Sequence, residues 1–174
     1  MTEHAHAGGT PSGRALAPRV CLGVILSLLK VGAATAAVSC SISVTPLSFG
    51  TYDVFSAIAN DSTGTISVSC TQQSAPVKSL PVSVSLTKGS SGSYASRQMK
   101  NGVNILTYNM FTNATRTTIF GDGSAGTSTV GGTFPFTFVG QTLTGTATIY
   151  GRIPAGQDVS IGSYADTITA TVTF

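Results

Sequence analysis

From Val38 to Phe174 apolar and polar residues alternate with a period of two in run after run. Successive side chains of a strand point to opposite faces, so this is the pattern of half-buried strands. Val38, Cys40, Ile42 and Val44 alternate until Pro46, and Phe49-Gly50-Thr51-Tyr52 follows as a short extended piece. Residues 60–64, Asn-Asp-Ser-Thr-Gly, have the chemistry of a turn. Ile66, Val68 and Cys70 then alternate with Thr65, Ser67 and Ser69. Leu80, Val82, Val84 and Leu86 predict a further strand, and Pro81 points to a sheet edge or a strand start. Residues 88–92 read as a turn. Residues 99–111 hold at least one strand, centred on Ile105, Leu106, Tyr108 and Met110, and 116–120 lead into a glycine-rich loop ending at Gly132. Phe134, Phe136 and Phe138 alternate around Pro135, another edge signal. Residues 143–150 predict a strand and 151–162 a loop. No window sustains the 3.6-residue spacing of a helix. About seven to nine short strands separated by turn signals make an all-β sandwich in one domain.

The end of this pattern is unusual. Ile168, Ala170, Val172 and Phe174 alternate with Thr167, Thr169, Thr171 and Thr173 up to the last residue. Chain ends fray unless tied down. A half-buried strand here needs a neighbour on each side. An earlier strand covers the second edge, or another protein does, strand addition being an established recognition mode.

The N-terminal residues break the pattern. Residues 1–36 read as an export leader: Arg14 and Arg19, the apolar run Val20 to Leu29, then small residues in which Ala34-Thr35-Ala36 fits a signal-peptidase site. A bilayer span needs about 20 apolar residues, and this run is too short. The mature domain is then 37–174, expected to be secreted. Without the leader the chain has no His, Glu or Trp, and its six basic and five acidic residues leave a net charge of about +1. Nucleic-acid binding wants a clustered basic face, which is missing. Two cysteines remain, Cys40 and Cys70, each on the apolar face of its strand. In a secreted chain such a pair reads as a disulfide, and closing a loop of about 30 residues stabilises by roughly 3–4 kcal/mol. A rival reading makes Cys40 a lipidated N-terminus, since Ala37-Val38-Ser39-Cys40 is loosely like a lipobox.

Enzymatic motifs are letters without context. Residues 121–126 spell G-x-G-x-x-G, yet no helix pattern follows to meet a phosphate. Ser85-Leu-Thr-Lys88 spells S-x-x-K, but on a strand and a turn rather than a helix start. Without His or Glu neither a Ser-His-Asp triad nor a Cys-His pair exists, and no zinc ligand set is left. An Asp158–Asp166 dyad has no evident pocket. Residues 60–62 and 113–115 are glycosylation sequons by letter only. Neither cofactor nor metal is expected, and the protein reads as no enzyme.

Several segments in order carry a resemblance. They are Cys40 with Leu47-Ser-Phe49-Gly-Thr-Tyr52; Gly64-Thr-Ile-Ser-Val68-Ser-Cys70; Arg97-Gln-Met99 before Leu106-Thr-Tyr108-Asn-Met110; and Phe120-Gly-Asp-Gly123. Tyr150-Gly-Arg-Ile-Pro-Ala-Gly-Gln157, Gly162-Ser-Tyr-Ala-Asp166 and the closing Thr169-Ala-Thr-Val-Thr-Phe174 complete the series. Over 38–174 the chain resembles the spore coat protein U domain family, which includes subunits of archaic chaperone–usher pili. The resemblance implies an incomplete immunoglobulin-like sandwich that lacks its final strand. A periplasmic pilus chaperone and then a neighbouring pilus subunit, joined at an outer-membrane usher, supply that strand. Ile168, Ala170, Val172 and Phe174 would border the open groove, with the Phe174 carboxylate anchored by basic chaperone residues. The pattern departs in one respect. Polymerising subunits carry a donor segment before the first cysteine, and cleavage after Ala36 leaves only Ala37, Val38 and Ser39. A minor or terminal subunit is therefore expected. The alternatives are a self-contained coat protein or a carbohydrate-binding module, with Tyr94 or the Phe134–Phe138 run as its aromatic platform.

Overall fold

The computed structural model describes residues 37–74 and 77–174. The expected leader, 1–36, lies outside the described residues. The described chain forms eight strands: β1 Val38–Thr45, β2 Asn60–Gln72, β3 Leu80–Leu86, β4 Arg97–Asn101, β5 Asn104–Phe111, β6 Val130–Phe134, β7 Thr142–Ile153 and β8 Ala170–Thr173. One sheet has the order β1-β2-β7-β5-β4 and the other β6-β3-β8, with every pairing antiparallel. The protein is thus an all-β, immunoglobulin-like sandwich of two antiparallel sheets.

The inward faces follow from the alternation. Ile66, Val68 and Cys70 of β2, Val82, Val84 and Leu86 of β3, Leu106, Tyr108 and Met110 of β5, and Ile149 and Ile153 of β7 are buried in one core. Each such aliphatic side chain contributes about 1.5–3 kcal/mol on leaving water. Cys40 and Cys70 are opposite one another in the β1–β2 register and form a disulfide.

Three expectations are corrected and one is narrowed. Residues 60–64 are not a turn but the start of β2, paired with 149–153 of β7. Their polar side chains serve as ties: Asn60 Nδ2 donates to the Phe49 and Thr51 carbonyls, and Asp61 accepts both Nε and a terminal nitrogen of Arg152. The 151–162 loop begins only after Ile153, because β7 continues as a strand beside Asn60, Asp61 and Ser62. Of the two readings of Pro81 the strand start holds: it is the second residue of β3, which lies between β6 and β8 rather than at a sheet edge. It lies opposite Thr133 of β6, beyond the reach of β8, which pairs only with Ser83 to Leu86. The phenylalanine run is not one strand: β6 ends at Phe134, Phe136 turns into the core, and Phe138 is exposed.

One buried cation organises the join between the sheets. Arg97 is fully buried, and its guanidinium donates to the carbonyls of Thr87 at 3.2 and 2.9 Å, of Phe120 at 2.7 Å, and to Asn109 Oδ1 at 2.8 Å. It also lies 5.2 Å from the centre of the Tyr94 ring. Burial lowers its pKa, while the nearby oxygens of Tyr108, Tyr94 and Asp166 oppose that effect. Thr87 in turn meets the terminal segment: its N–H donates to the Thr169 carbonyl and its hydroxyl accepts from the Thr169 N–H.

Candidate functional site

Beyond Pro46 the chain leaves the edge of β1 and crosses the inner face of β7. The crossing is close because Gly151 has no side chain: a Cβ there would sit 2.7 Å from the Phe49 ring and 2.9 Å from a Leu47 methyl. Hydrogen bonds fix the path. Ser62 Oγ donates to the Ser48 carbonyl at 2.6 Å, and the Tyr52 hydroxyl donates to the Pro154 carbonyl and accepts from Gln157 N–H, both at 2.9 Å. Gln157 uses its own side-chain amide as a strand substitute, accepting from Thr107 N–H and donating to the Thr107 carbonyl at 2.8 Å each.

This crossing segment forms one wall of an open groove. The other wall is 159–164, which leads into the terminal strand. Between them is a cavity of about 1100 Å³. Met99, Leu106 and Ile153 line it from the core sheet, Leu47, Phe49 and Tyr52 from one wall, and Val159 and Tyr164 from the other. The lining is chiefly aliphatic and aromatic, and only half-buried at the walls.

Strand β8 lies at the end of its sheet. It pairs with β3 on one side, and no described residue pairs with its other side. Strand β1 likewise pairs with β2 alone. Ile168, Ala170 and Val172 are half-buried, and Phe174 is 52 % exposed. The strand is shorter than the alternation suggests: Ile168 precedes it and Phe174 follows it. None of the four lines the 1100 Å³ cavity. They continue the alternating row that Tyr164, a lining residue, begins. The residues that the sequence reading missed here are Leu47, Phe49, Met99, Leu106, Ile153, Val159 and Tyr164. Their signal was the same as for any core position, and only the fold shows that Leu47, Phe49, Met99, Val159 and Tyr164 are left half-buried while Leu106 and Ile153 form the buried floor.

Residues 25–171 match the Spore Coat Protein U domain. The chain belongs to the Spore Coat Protein U domain family. The match begins inside the segment read as a leader. Protein U of Myxococcus xanthus is 36% identical over 135 residues, covering 74% of this chain and 71% of that protein. Among solved structures, this chain is similar to the CsuC-CsuE chaperone-tip adhesion subunit pre-assembly complex from archaic chaperone-usher Csu pili of Acinetobacter baumannii. The TM-score is 0.50 and the identity 22%, over 79% of this chain and 40% of that one. That likeness is one of fold.

Within this Spore Coat Protein U domain the other chemical candidates have ordinary roles. The G-x-G-x-x-G letters form a loop in which Asp122 Oδ1 accepts from Ser124 N–H and Oγ, which holds the Asp122 carboxyl below its usual range. Ser85 lies on β3, and Lys88 precedes a short 3-10 turn, Gly89–Ser91. Asp158 is exposed on its loop, whereas Asp166 is tied to Tyr108 and the Ser90 backbone. Tyr94 is buried, so it cannot serve as an exposed platform for sugar stacking. Asn113 donates to the Thr115 and Thr117 hydroxyls instead of standing free at its sequon. No group of three or more His, Cys, Asp or Glu able to hold a metal occurs among the described residues.

Proposed function

We propose that this chain is a structural subunit of a bacterial surface pilus or coat. It is assembled by the chaperone–usher route, and its groove is filled by a β-strand from a partner. The observation that carries this reading is the edge of β8, unpaired among the described residues, together with an open, partly apolar groove walled by the segment 159–164 that leads towards that strand. Exposed apolar side chains and an unsatisfied strand edge together are costly in water and prone to association. A donated strand removes both costs at once. The partners on this reading are a periplasmic chaperone, an outer-membrane usher and neighbouring subunits, and the destination is the cell surface. The chemistry is binding, without a catalytic step.

Cleavage after Ala36 would leave three residues before Cys40, and Val38 is already used, paired with Gln72 in β1. Under that cleavage the subunit accepts a strand and donates none, which suits a minor or terminal position. Long rods formed by the purified mature chain alone would overturn that assignment.

Thermal unfolding of 37–174 recovered from periplasm, with and without the chaperone of its own export system, tests the main reading. The free chain should be unstable or aggregated, and a one-to-one complex should melt cooperatively. A free monomer with a cooperative, high-temperature melt would point instead to a self-contained coat protein. A paired substitution adds specificity. Val172→Asp places a carboxylate in the inward row and should weaken chaperone capture about a hundredfold. Thr171→Asp, on the outward face, should leave capture within about twofold. Equal effects of the two would show that the inward face is not what the partner reads.

A further inference from the structure

The terminal segment has a register problem. Its outward positions 167, 169, 171 and 173 are all threonine, and its inward positions 168, 170, 172 and 174 are all apolar. A one-residue slip would turn every apolar side chain outward, so the pattern forbids it. A two-residue slip keeps every side chain on its own face, and the pattern barely opposes it. Backbone hydrogen bonds are equally blind to it. Lys100 N–H donates to the Ala165 carbonyl at 2.8 Å and Ala165 N–H returns to Lys100 at 3.2 Å, but backbone groups two residues away are chemically identical. Strand β8 itself has only four register partners on β3.

Asp166 breaks the degeneracy. It is the polar member of the inward row that runs Tyr164, Asp166, Ile168, Ala170 and Val172, all half-buried. Its Oδ2 accepts from the hydroxyl of buried Tyr108 at 2.9 Å. Its Oδ1 accepts from Ser90 N–H and from Thr167 N–H, both at 2.9 Å. The socket is shaped by Gly89 at φ +69°, where a Cβ would collide with the Asp166 carboxylate and lie 2.7 Å from Ile168 Cδ1. Neither Tyr164 nor Ile168 has a side chain able to accept these hydrogen bonds. A slip by two would therefore strand the Tyr108 hydroxyl and the Ser90 N–H and move a carboxylate among apolar side chains.

We propose that Asp166 is the register-setting residue of the terminal strand, its carboxylate selecting one alignment of the Ile168–Phe174 row against β3. Its consequence for partner recognition rests on the strand-acceptance reading above, because a donated strand meets this row in whatever alignment the socket holds. The register assignment itself does not depend on that reading.

Cysteine pairs in the full chain, recovered oxidised from periplasm, read the register directly. Ser83→Cys with Thr173→Cys joins native partners, whereas Ser85→Cys with Thr173→Cys is bridged only after a two-residue slip. The native pair should cross-link in preference to the slipped pair by about tenfold or more, as loss of charge-assisted hydrogen bonds at the socket would predict. Asp166→Ala should erase at least most of that preference. Asp166→Asn keeps an oxygen for the two N–H donors and an amide for the Tyr108 oxygen, and should restore it. Tyr108→Phe, which leaves the ring packing in place, should shift the ratio in the same direction as Asp166→Ala by a smaller factor, and it decides the matter if Asp166→Ala does not fold. An unchanged ratio in both Tyr108→Phe and Asp166→Ala overturns the proposal, as does an Asn variant no better than Ala. Chaperone co-purification of the unsubstituted chain, scored in parallel, separates the two claims: its failure overturns strand acceptance and leaves the register result standing.

Discussion

Replacing Arg97 with leucine should destabilise the protein by about 3–5 kcal/mol, the range seen when one member of a buried charged network is removed. The side chain is fully buried and, among the described residues, forms no ion pair with a carboxylate. Its charge is spread over three carbonyl-type oxygens, from Thr87, Phe120 and Asn109. Leucine would fill part of the space and leave those acceptors facing apolar surface. The loss would spread, because Asn109 also donates to the Tyr94 and Ala95 carbonyls, and Thr87 holds Thr169. Among the described residues no buried side-chain nitrogen or oxygen lacks a partner, so the network has no slack to absorb the change. Urea unfolding of the chaperone-bound chain, with the m-value checked for constancy, measures the effect. A loss below about 1 kcal/mol would mean that water replaces the guanidinium, and the network is then less closed than its geometry indicates. Arg97→Lys should recover little, since one ammonium cannot span the three acceptors that the planar guanidinium reaches.

The Cys40→Ala, Cys70→Ala double variant should lose about 2–5 kcal/mol. The two residues are 30 apart in sequence, so the bridge closes a long loop in the unfolded chain. Its place adds a local consequence. Among the described residues strand β1 is an edge strand paired only with β2, and the wall segment of the groove continues directly from it. Without the bridge, β1 and then 47–53 should exchange amide protons faster than β2, β5 and β7 do. Thermal melts with and without reductant, alongside hydrogen exchange, check both parts. A reduced chain that melts within a few degrees of the oxidised one would contradict the expectation.

The same geometry explains why some of the fold was legible beforehand and some was not. Strands β1, β3 and the second half of β2 were readable because their alternation is local. Val82, Val84 and Leu86 face inward whatever they pack against. The disulfide was readable for a related reason: both cysteines sit on the apolar phase of their strands. Residues 60–64 misled because Asn, Asp and Gly favour turns in isolation, whereas here Asn60 and Asp61 spend their side chains on Phe49, Thr51 and Arg152. Distant partners outweighed local preference. Phe136 and Phe138 misled because alternation shows parity, not whether a strand continues.

By itself, then, the sequence determined the all-β class, the inward face of most strands, the cysteine pair and the family resemblance. These are properties of neighbouring residues and of residue types in order, and they survive without knowledge of what packs where. Only the tertiary structure decided that β8 has an edge unpaired among the described residues, that Leu47, Phe49 and Tyr164 wall an open groove, and that Arg97 and Asp166 have their particular partners. Each of these depends on groups brought together across long stretches of chain: Tyr108 reaches Asp166 over 58 residues, and Gln157 meets Tyr52 over 105. Hydrogen-bond satisfaction and unfilled space are settled by such long-range contacts, which no local pattern records.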